Sequence, residues 1–285
     1  MDIRLIETPE ELTAVEELQR QVWSGNDIEV VPVHMFLAAI HAGGMVIGAF
    51  EEGVLIGFVF GFPGFDPSPQ GLQPRFCSHM AAVHPDYRDA GLGFKLKRAQ
   101  WQMVRQQGFD HISWTYDPLQ SRNAKLNITK LGAVCNTYLP NYYGELRDGL
   151  NVGLPSDRFK VDWWVNSQRV RRRLGKRPRP PLDLAHYLSA DVHRVNTTTL
   201  TELGVVAPQF LDPPVGSEPF LILEIPADFQ SIKSADPTLA VEWRLHTREL
   251  FEDLFKAGYL VTDFVYLPGN QSRSYYVLSH GESTL

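Results

Sequence analysis

His79-Met80-Ala81-Ala82-Val83-His84-Pro85-Asp86-Tyr87-Arg88-Asp89-Ala90-Gly91-Leu92-Gly93 runs from a strand pattern through a tight turn into a helix pattern. The strand spans about Phe76 to Val83. The helix covers Leu92 to Gln107, with Leu92, Leu96, Ala99 and Met103 on one face and Gly108 at its end. Between them lies Arg88-x-x-Gly91-x-Gly93. This is the sequence of an anion cradle: glycines let the backbone approach a pyrophosphate, first-turn N–H groups point at it, and the helix dipole favours its charge. Two other glycine patterns are set aside. A dinucleotide fingerprint needs Gly-x-Gly-x-x-Gly and a Walker loop ends in Gly-Lys-Ser/Thr; Gly91-Leu92-Gly93-Phe94-Lys95-Leu96 is neither.

Upstream, Thr8-Pro9-Glu10-Glu11 has the composition of a capping box, and Leu12, Val15, Val22 and Trp23 continue it as an amphipathic helix up to Gly25. A shorter helix covers Val33 to His41. Strands follow at Met45–Glu51 and Val54–Phe60, joined across Glu52-Gly53 as a hairpin. Downstream, His111–Tyr116, Ala133–Leu139 and Arg158–Val165 read as strands and Arg122–Leu131 as a helix. Trp163-Trp164 reads as core and domain interface.

Gln168 to Pro181 carries Arg169, Arg171, Arg172, Arg173, Lys176, Arg177 and Arg179 among three prolines, and reads as an exposed linker or a solvated helix end. It has no interleaved aromatics to stack bases. The expected organisation is a domain at 1–167, a basic, proline-rich linker at 168–181 and a smaller α+β lobe at 182–285. In that lobe Phe220–Ile225, Leu239–Ala257, Tyr259–Leu267 and Ser274–Ser279 give strand, helix, strand, strand. The helix's expected core face is Leu239, Trp243, Leu250, Leu254 and Phe255. This order repeats the second half of the first domain, and Pro226-Ala227-Asp228-Phe229 stands where a glycine-rich turn would be, so the lobe reads as a degenerate copy without a phosphate site or as an unrelated cap.

Val83, Pro85, Tyr87, Arg88, Gly91 and Gly93 spell Val-x-Pro-x-Tyr-Arg-x-x-Gly-x-Gly, which resembles the coenzyme A motif of the GNAT acyltransferases. The order of elements from Thr8 to Leu139, about half the chain, is similar to that family's. The resemblance implies an α/β fold, a GNAT-type mixed sheet flanked by helices. It implies that acyl-CoA, acetyl-CoA or a related thioester, is the co-substrate. Backbone groups of Ala81, Ala82 and Val83 would meet the pantetheine arm, and Arg88, Asp89, Ala90, Gly91, Leu92, Gly93 and Phe94 would wrap the pyrophosphate. Ser121 to Ala133 resembles the family's later helix, and the cofactor-contacting asparagine there corresponds to Asn123.

Acyl transfer to an amine needs a base for the ammonium proton and help for the departing thiolate. His79 is the expected base: it stands four residues before Val83, the place of a catalytic histidine in serotonin N-acetyltransferase, which this stretch resembles. Strand alternation puts Cys77, His79 and Ala81 on one face and Ser78 and Met80 on the other. Many members of the family place an acid tyrosine four residues before the glycine that closes the later helix; that position is Ile128 here. Tyr138, Tyr142 and Tyr143 lie just downstream, and Tyr142 is taken as the candidate acid. Transfer is expected to be direct. Cys77 is the one residue that argues for a covalent intermediate.

A net charge of −6 argues against a whole-protein nucleic-acid binder and leaves a small-molecule amine, such as an amino acid, as the expected acceptor. The histidines show no metal-ligand spacing, so no metal is expected. Cys77 and Cys135 are too few for a disulfide scaffold, the start lacks a signal layout, and Val54–Phe65 is too short to span a bilayer. The expectation is a cytoplasmic protein without membrane partners. The alternative function is a non-catalytic coenzyme A sensor or scaffold. The C-terminal lobe has two roles open to it, a cap over the acceptor or a homodimer contact.

Overall fold

The computed structural model describes residues 1–23, 30–69, 71–144, 152–175, 180–189, 192–211 and 218–280. They fall into two compact units, one of residues 1–114 with 163–166, the other of 115–144, 152–162 and 167–280. The expected boundary at 167 therefore does not coincide with the division by contact.

In the first unit β1 (Asp2–Ile6), α1 (Pro9–Val22), α2 (Val33–His41), β2 (Met45–Glu51), β3 (Val54–Ser68), β4 (Gly71–Val83), α3 (Leu92–Gln106) and the start of β5 (His111–Tyr116) follow one another. The strands lie in the order β1-β2-β3-β4-β5. All neighbours are antiparallel except β4 and β5. Thr8 caps α1 by accepting from the Glu11 N–H at 3.3 Å. The box is only half made, because the Glu11 carboxylate bonds Arg4 instead. The expected end at Gly25 lies outside the described residues. Glu52 and Gly53 both have positive φ, 50° and 85°, the signature of a type I′ hairpin turn.

β3 and β4 run well past their expected limits, Phe60 and Phe76, pairing with each other as far as Ser68 and Gly71. Pro63, Pro67 and Pro74 read as strand breakers, yet here Pro63 lies on β3 beyond the reach of β2 and Pro67 and Pro74 lie in a two-stranded ribbon, where a missing N–H costs little.

Leu12, Val15 and Leu18 of α1 and Phe36 of α2 bury against Val46, Phe58, Phe60 and Ala82 on one face of the sheet. On the other face α3 buries Leu92, Leu96, Lys97, Gln100, Trp101 and Val104. The expected stripe is thus corrected: Ala99 and Met103 are only half-buried, and two polar residues occupy the helix face that meets the sheet.

The second unit begins in β5 and holds α4 (Ser121–Ala124), which continues as a π-helical turn over Lys125–Lys130. Then come β6 (Val134–Leu139), β7 (Arg158–Trp164), α5 (Gln168–Leu174), α6 (Leu184–Ser189), β8 (His193–Arg194), β9 (Asn196–Leu200), β10 (Val206–Phe210), β11 (Phe220–Pro226), α7 (Phe229–Ala235), α8 (Pro237–Lys256), β12 (Tyr259–Leu267) and β13 (Arg273–His280). Its sheet runs β7-β6-β12-β13-β11-β8, while β9 and β10 form a separate hairpin. β13 is antiparallel to both β11 and β12 and lies between them, so the strand, helix, strand, strand order of the sequence becomes a split β-α-β unit. On α8, Leu250 and Phe255 are half-buried, and Arg244, His246 and Phe251 take core positions instead.

The linker reading fails for its first half. Ser167 caps α5 through the Val170 N–H, Val170 and Leu174 are buried, Arg169 donates to the carbonyls of Gly132 and Thr262, and Arg173 pairs with Asp263 at 2.8 Å. Lys176, Arg177 and Arg179 lie outside the described residues. Among the described residues no helix is long and apolar enough to cross a membrane.

The second unit is fastened by buried ion pairs. Arg244 donates two 2.7 Å bonds to the two oxygens of Asp117, and Arg248 likewise grips Asp157. Burial pushes the Asp117 carboxyl up, but the charge and hydrogen bonds of Arg244, with Arg158 and the Leu119 N–H, outweigh it and hold the group below its ordinary value. Arg244→Met leaves Asp117 buried without its partner and is expected to cost about 3–5 kcal/mol in urea unfolding, most of it recovered in Asp117→Leu/Arg244→Met. Because the folded-state value is lowered, the pair's contribution is fully present above the unfolded value of about 3.9 and is lost as the pH falls through the folded one.

Candidate active site

β4 is irregular at the candidate base. Phe60 pairs with Met80 and Phe62 with Cys77, so two steps along β3 match three along β4, and the extra residue lies at Ser78-His79. The bulge turns the strand over. Ser78 is buried facing α3, where its Oγ bonds Lys97 and Gln100, whereas Met80 and Ala82 pack with Phe58 and Phe60 on the opposite face. The expected alternation, with Ser78 and Met80 together, is therefore corrected. His79 falls beside Met80, its ring 5.9 Å from those of both Phe60 and Phe62. The residue is exposed, and the partial burial of its ring pushes the imidazole below its ordinary value. A neutral imidazole at neutral pH is the form a base requires.

Gly61 lies opposite the bulge. A Cβ there would stand 2.5 Å from the Phe76 ring and 2.6 Å from the Cys77 carbonyl, so no side chain fits. The β4–β5 ladder consists of Phe76↔Ile112 and Cys77↔Ser113 and stops at the bulge. From Ser78 to Val83, β4 is paired on its β3 side alone among the described residues.

β4 delivers the chain directly to the cradle. The His84 N–H donates to Ile56, and its Nδ1 accepts from the Asp86 N–H, opening a single 3-10 turn over Pro85–Tyr87. Arg88 swings back, its Nε donating to the Val83 carbonyl at 3.4 Å. Asp89 and Gly91 both lie in the left-handed region, at φ 67° and 73°. Gly91 precedes α3 as its cap, and a Cβ there would meet nothing within 4 Å, so the backbone at the helix start is open to approach. The N–H groups of Leu92, Gly93 and Phe94 have no carbonyl a turn back in the helix, and they point the same way. Ala81, Arg88, Asp89 and Ala90 are exposed, Val83, Gly91, Gly93 and Phe94 are half-buried, and Ala82 and Leu92 are buried anchors. An alternating turn of this kind with a helix dipole behind it suits a pyrophosphate.

His79 and the residues from Ala81 to Phe94 thus lie together on β4, the turn and α3 of the first unit. Asn123, exposed in the first turn of α4, and Tyr142, exposed with its ring against Tyr143, belong to the second unit. Tyr143 Oη shares a 2.8 Å hydrogen bond with Thr115, and Tyr138 donates to Asp157 at 2.7 Å. Burial pushes the Tyr138 phenol well up. Ile128 is wholly buried. The sequence reading missed Lys97, Ser78 and Gln100, a buried polar group behind the bulge. The available signal was their spacing on α3: Lys97 and Gln100 continue the Leu92, Leu96 face at helical intervals.

Residues 12–127 match the model of the Acetyltransferase (GNAT) family. No curated protein matches the chain. Among solved structures it is similar to aminoglycoside 6′-acetyltransferase type Ii, at 16% identity and a TM-score of 0.46 over 59% of this chain and 99% of that one. It is also similar to the ribosomal-protein-S18-alanine N-acetyltransferase of Escherichia coli, at 16% identity and 0.43 over 58% and 94%. A third is yncA of Salmonella typhimurium with its cofactor acetyl-CoA, at 18% and 0.43 over 59% and 95%.

Partial burial sets the state of His79. A proton NMR titration is expected to place its midpoint below about 6.5, and Phe62→Ala, by admitting water, moves it back up.

Proposed function

We propose that the chain, through the part matching the GNAT acetyltransferase family at residues 12–127, transfers an acyl group from acyl-CoA directly to the amine of a small molecule such as an amino acid. The observation that carries the reading is the continuous path from bulge to cradle. His79, a β4 edge without a second partner strand among the described residues and a left-handed turn before α3 follow one another within sixteen residues, His79 to Phe94.

The bound thioester supplies an activated carbonyl. The chain's own part begins with the cradle, where the first-turn N–H groups of Leu92, Gly93 and Phe94 hold the pyrophosphate and Arg88 adds positive charge. The edge from Ala81 to Val83 takes the pantetheine arm as an added strand. The acceptor nitrogen attacks the thioester carbonyl, its proton passes to the neutral imidazole of His79, and the C–S bond breaks to release thiolate. Tyr142 is proposed to return a proton to sulfur and Asn123 to contact the arm. The choice of a small acceptor rests on the net charge of −6, which gives no pull toward nucleic acid. Ile128, apolar and buried, favours the second reading, a coenzyme A sensor without an acid.

Binding and chemistry are separable. Acetyl-CoA at a hundredfold excess over its Kd is expected to stabilise the chain by about 2.7 kcal/mol, read as a rise in Tm. Gly91→Asp, strained by about 1–2 kcal/mol at its positive φ and negatively charged toward the ligand, abolishes that rise. His79→Gln keeps the rise and slows transfer to a panel of amino acids by about 10²–10⁴-fold. No rise with acetyl-, succinyl- or plain coenzyme A would sink the acyltransferase reading, and binding without transfer in the unaltered chain would favour the sensor.

A further inference from the structure

Lys97 is buried on α3, 3% exposed, and no carboxylate among the described residues pairs with it. Its Nζ donates to Ser78 Oγ at 2.7 Å and to Gln100 Oε1 at 3.1 Å, while Ser78 Oγ donates to Gln100 Oε1 at 2.7 Å. The ammonium also stands 3.7 Å from the centre of the Trp114 ring and 5.4 Å from that of Trp163. Burying an ammonium is costly unless it is compensated. Here neutral oxygens and indole faces do that work. A methionine would fill the same space without the cost, so packing alone does not account for a lysine.

Its partners say what it does. The parallel ladder between β4 and β5 ends at Cys77↔Ser113, and the next residues on the two strands are Ser78 and Trp114. Lys97 holds both, one by a hydrogen bond and the other by its ring. We infer that Lys97 is a positioning residue for acyl-CoA: its ammonium, tied to the bulge of β4 and set against Trp114 of β5, keeps the two strands from closing, so that the β4 edge from His79 to Val83 stays open to the pantetheine arm. The inference rests on the acyltransferase reading. The orphaned Gln100 Nε2, buried beside Gly61, fits the same arrangement, since the amide is turned to give its oxygen to the ammonium.

Burial lowers the lysine to about 7, and Cys77 on β4 is the one titratable neighbour that opposes the shift; Gln100 on α3, Ser78 on β4, Trp114 on β5 and Trp163 on β7 are uncharged. The charged form therefore prevails below that value, and the hold weakens as the pH rises through it.

The test is calorimetric titration of the full chain with acetyl-CoA and, separately, with 3′-phosphoadenosine 5′-diphosphate, which has the pyrophosphate and lacks the pantetheine arm. Lys97→Met is expected to weaken acetyl-CoA by about tenfold or more and to leave the nucleotide within about twofold. In the unaltered chain the ratio of the two affinities falls from about pH 6 to about pH 8, and in Lys97→Met it is flat. An unchanged acetyl-CoA affinity in Lys97→Met, or an equal loss for both ligands, overturns the inference. Should Lys97→Met give no cooperative melt, Ser78→Ala decides by the same ratio, a selective loss supporting the inference and an unchanged ratio overturning it. If the unaltered chain binds neither ligand, the acyltransferase reading itself fails and takes the inference with it.

Discussion

The one-residue mismatch between β3 and β4 is the constraint on which the first unit's site depends. Two residues of β4, Ser78 and His79, fit opposite one of β3 only because Gly61 leaves room for the Phe76 ring and the Cys77 carbonyl. That extra residue separates two packing tasks along one strand. Before it, Phe76 and Ser78 face α3; after it, Met80 and Ala82 face α1 and α2. His79 is carried to the Phe60–Phe62 side with the second group, and the ladder to β5 stops at the same point. A bulge beside an unpaired edge is a common way for a sheet to aim a side chain and free its backbone at once.

The two units bury charge in different ways. In the second, the four buried acids among the described residues each meet an arginine: Asp117 with Arg244, Asp157 with Arg248, Asp263 with Arg173 and Glu224 with Arg273. Three of these pairs, all but Arg173 with Asp263, are bidentate, which satisfies several lone pairs at once and makes them rigid fasteners. In the first, Lys97 has hydroxyl, amide and indole partners instead. An ammonium so held keeps a proton equilibrium near neutrality, whereas the arginines stay charged at every pH the fold survives.

What was legible in the sequence was local. Thr8 and Pro9 start a helix because a cap needs only its own neighbours. Glu52-Gly53 makes a tight hairpin for the same reason, and Gly91 before Leu92 writes the left-handed entry to α3 in adjacent residues. What was not legible depends on distant groups. The proline-bearing ribbon from Pro63 to Pro74 reads as loop until its two halves are paired. Arg169 to Arg173 reads as solvated linker until the carbonyls of Gly132 and Thr262 and the carboxylate of Asp263 are brought beside it. Counting back from Gly132 to Ile128 assumes α-helical spacing, and the π-helical turn over Lys125–Lys130 breaks that assumption.

The sequence by itself determined the order of elements from α1 to β5 and the glycine-bearing turn that enters α3, since each is written in contiguous residues whose backbone preferences are short-range, while β1 was not read from it. Only the tertiary structure decided which way His79 faces and what lies behind it. A bulge is a mismatch between two strands and has no signature in either alone, and helical spacing places Lys97 and Gln100 on the Leu92, Leu96 face without showing what they bond there. Side-chain direction on β4 is set by that pairing, and pairing is a property of the folded chain.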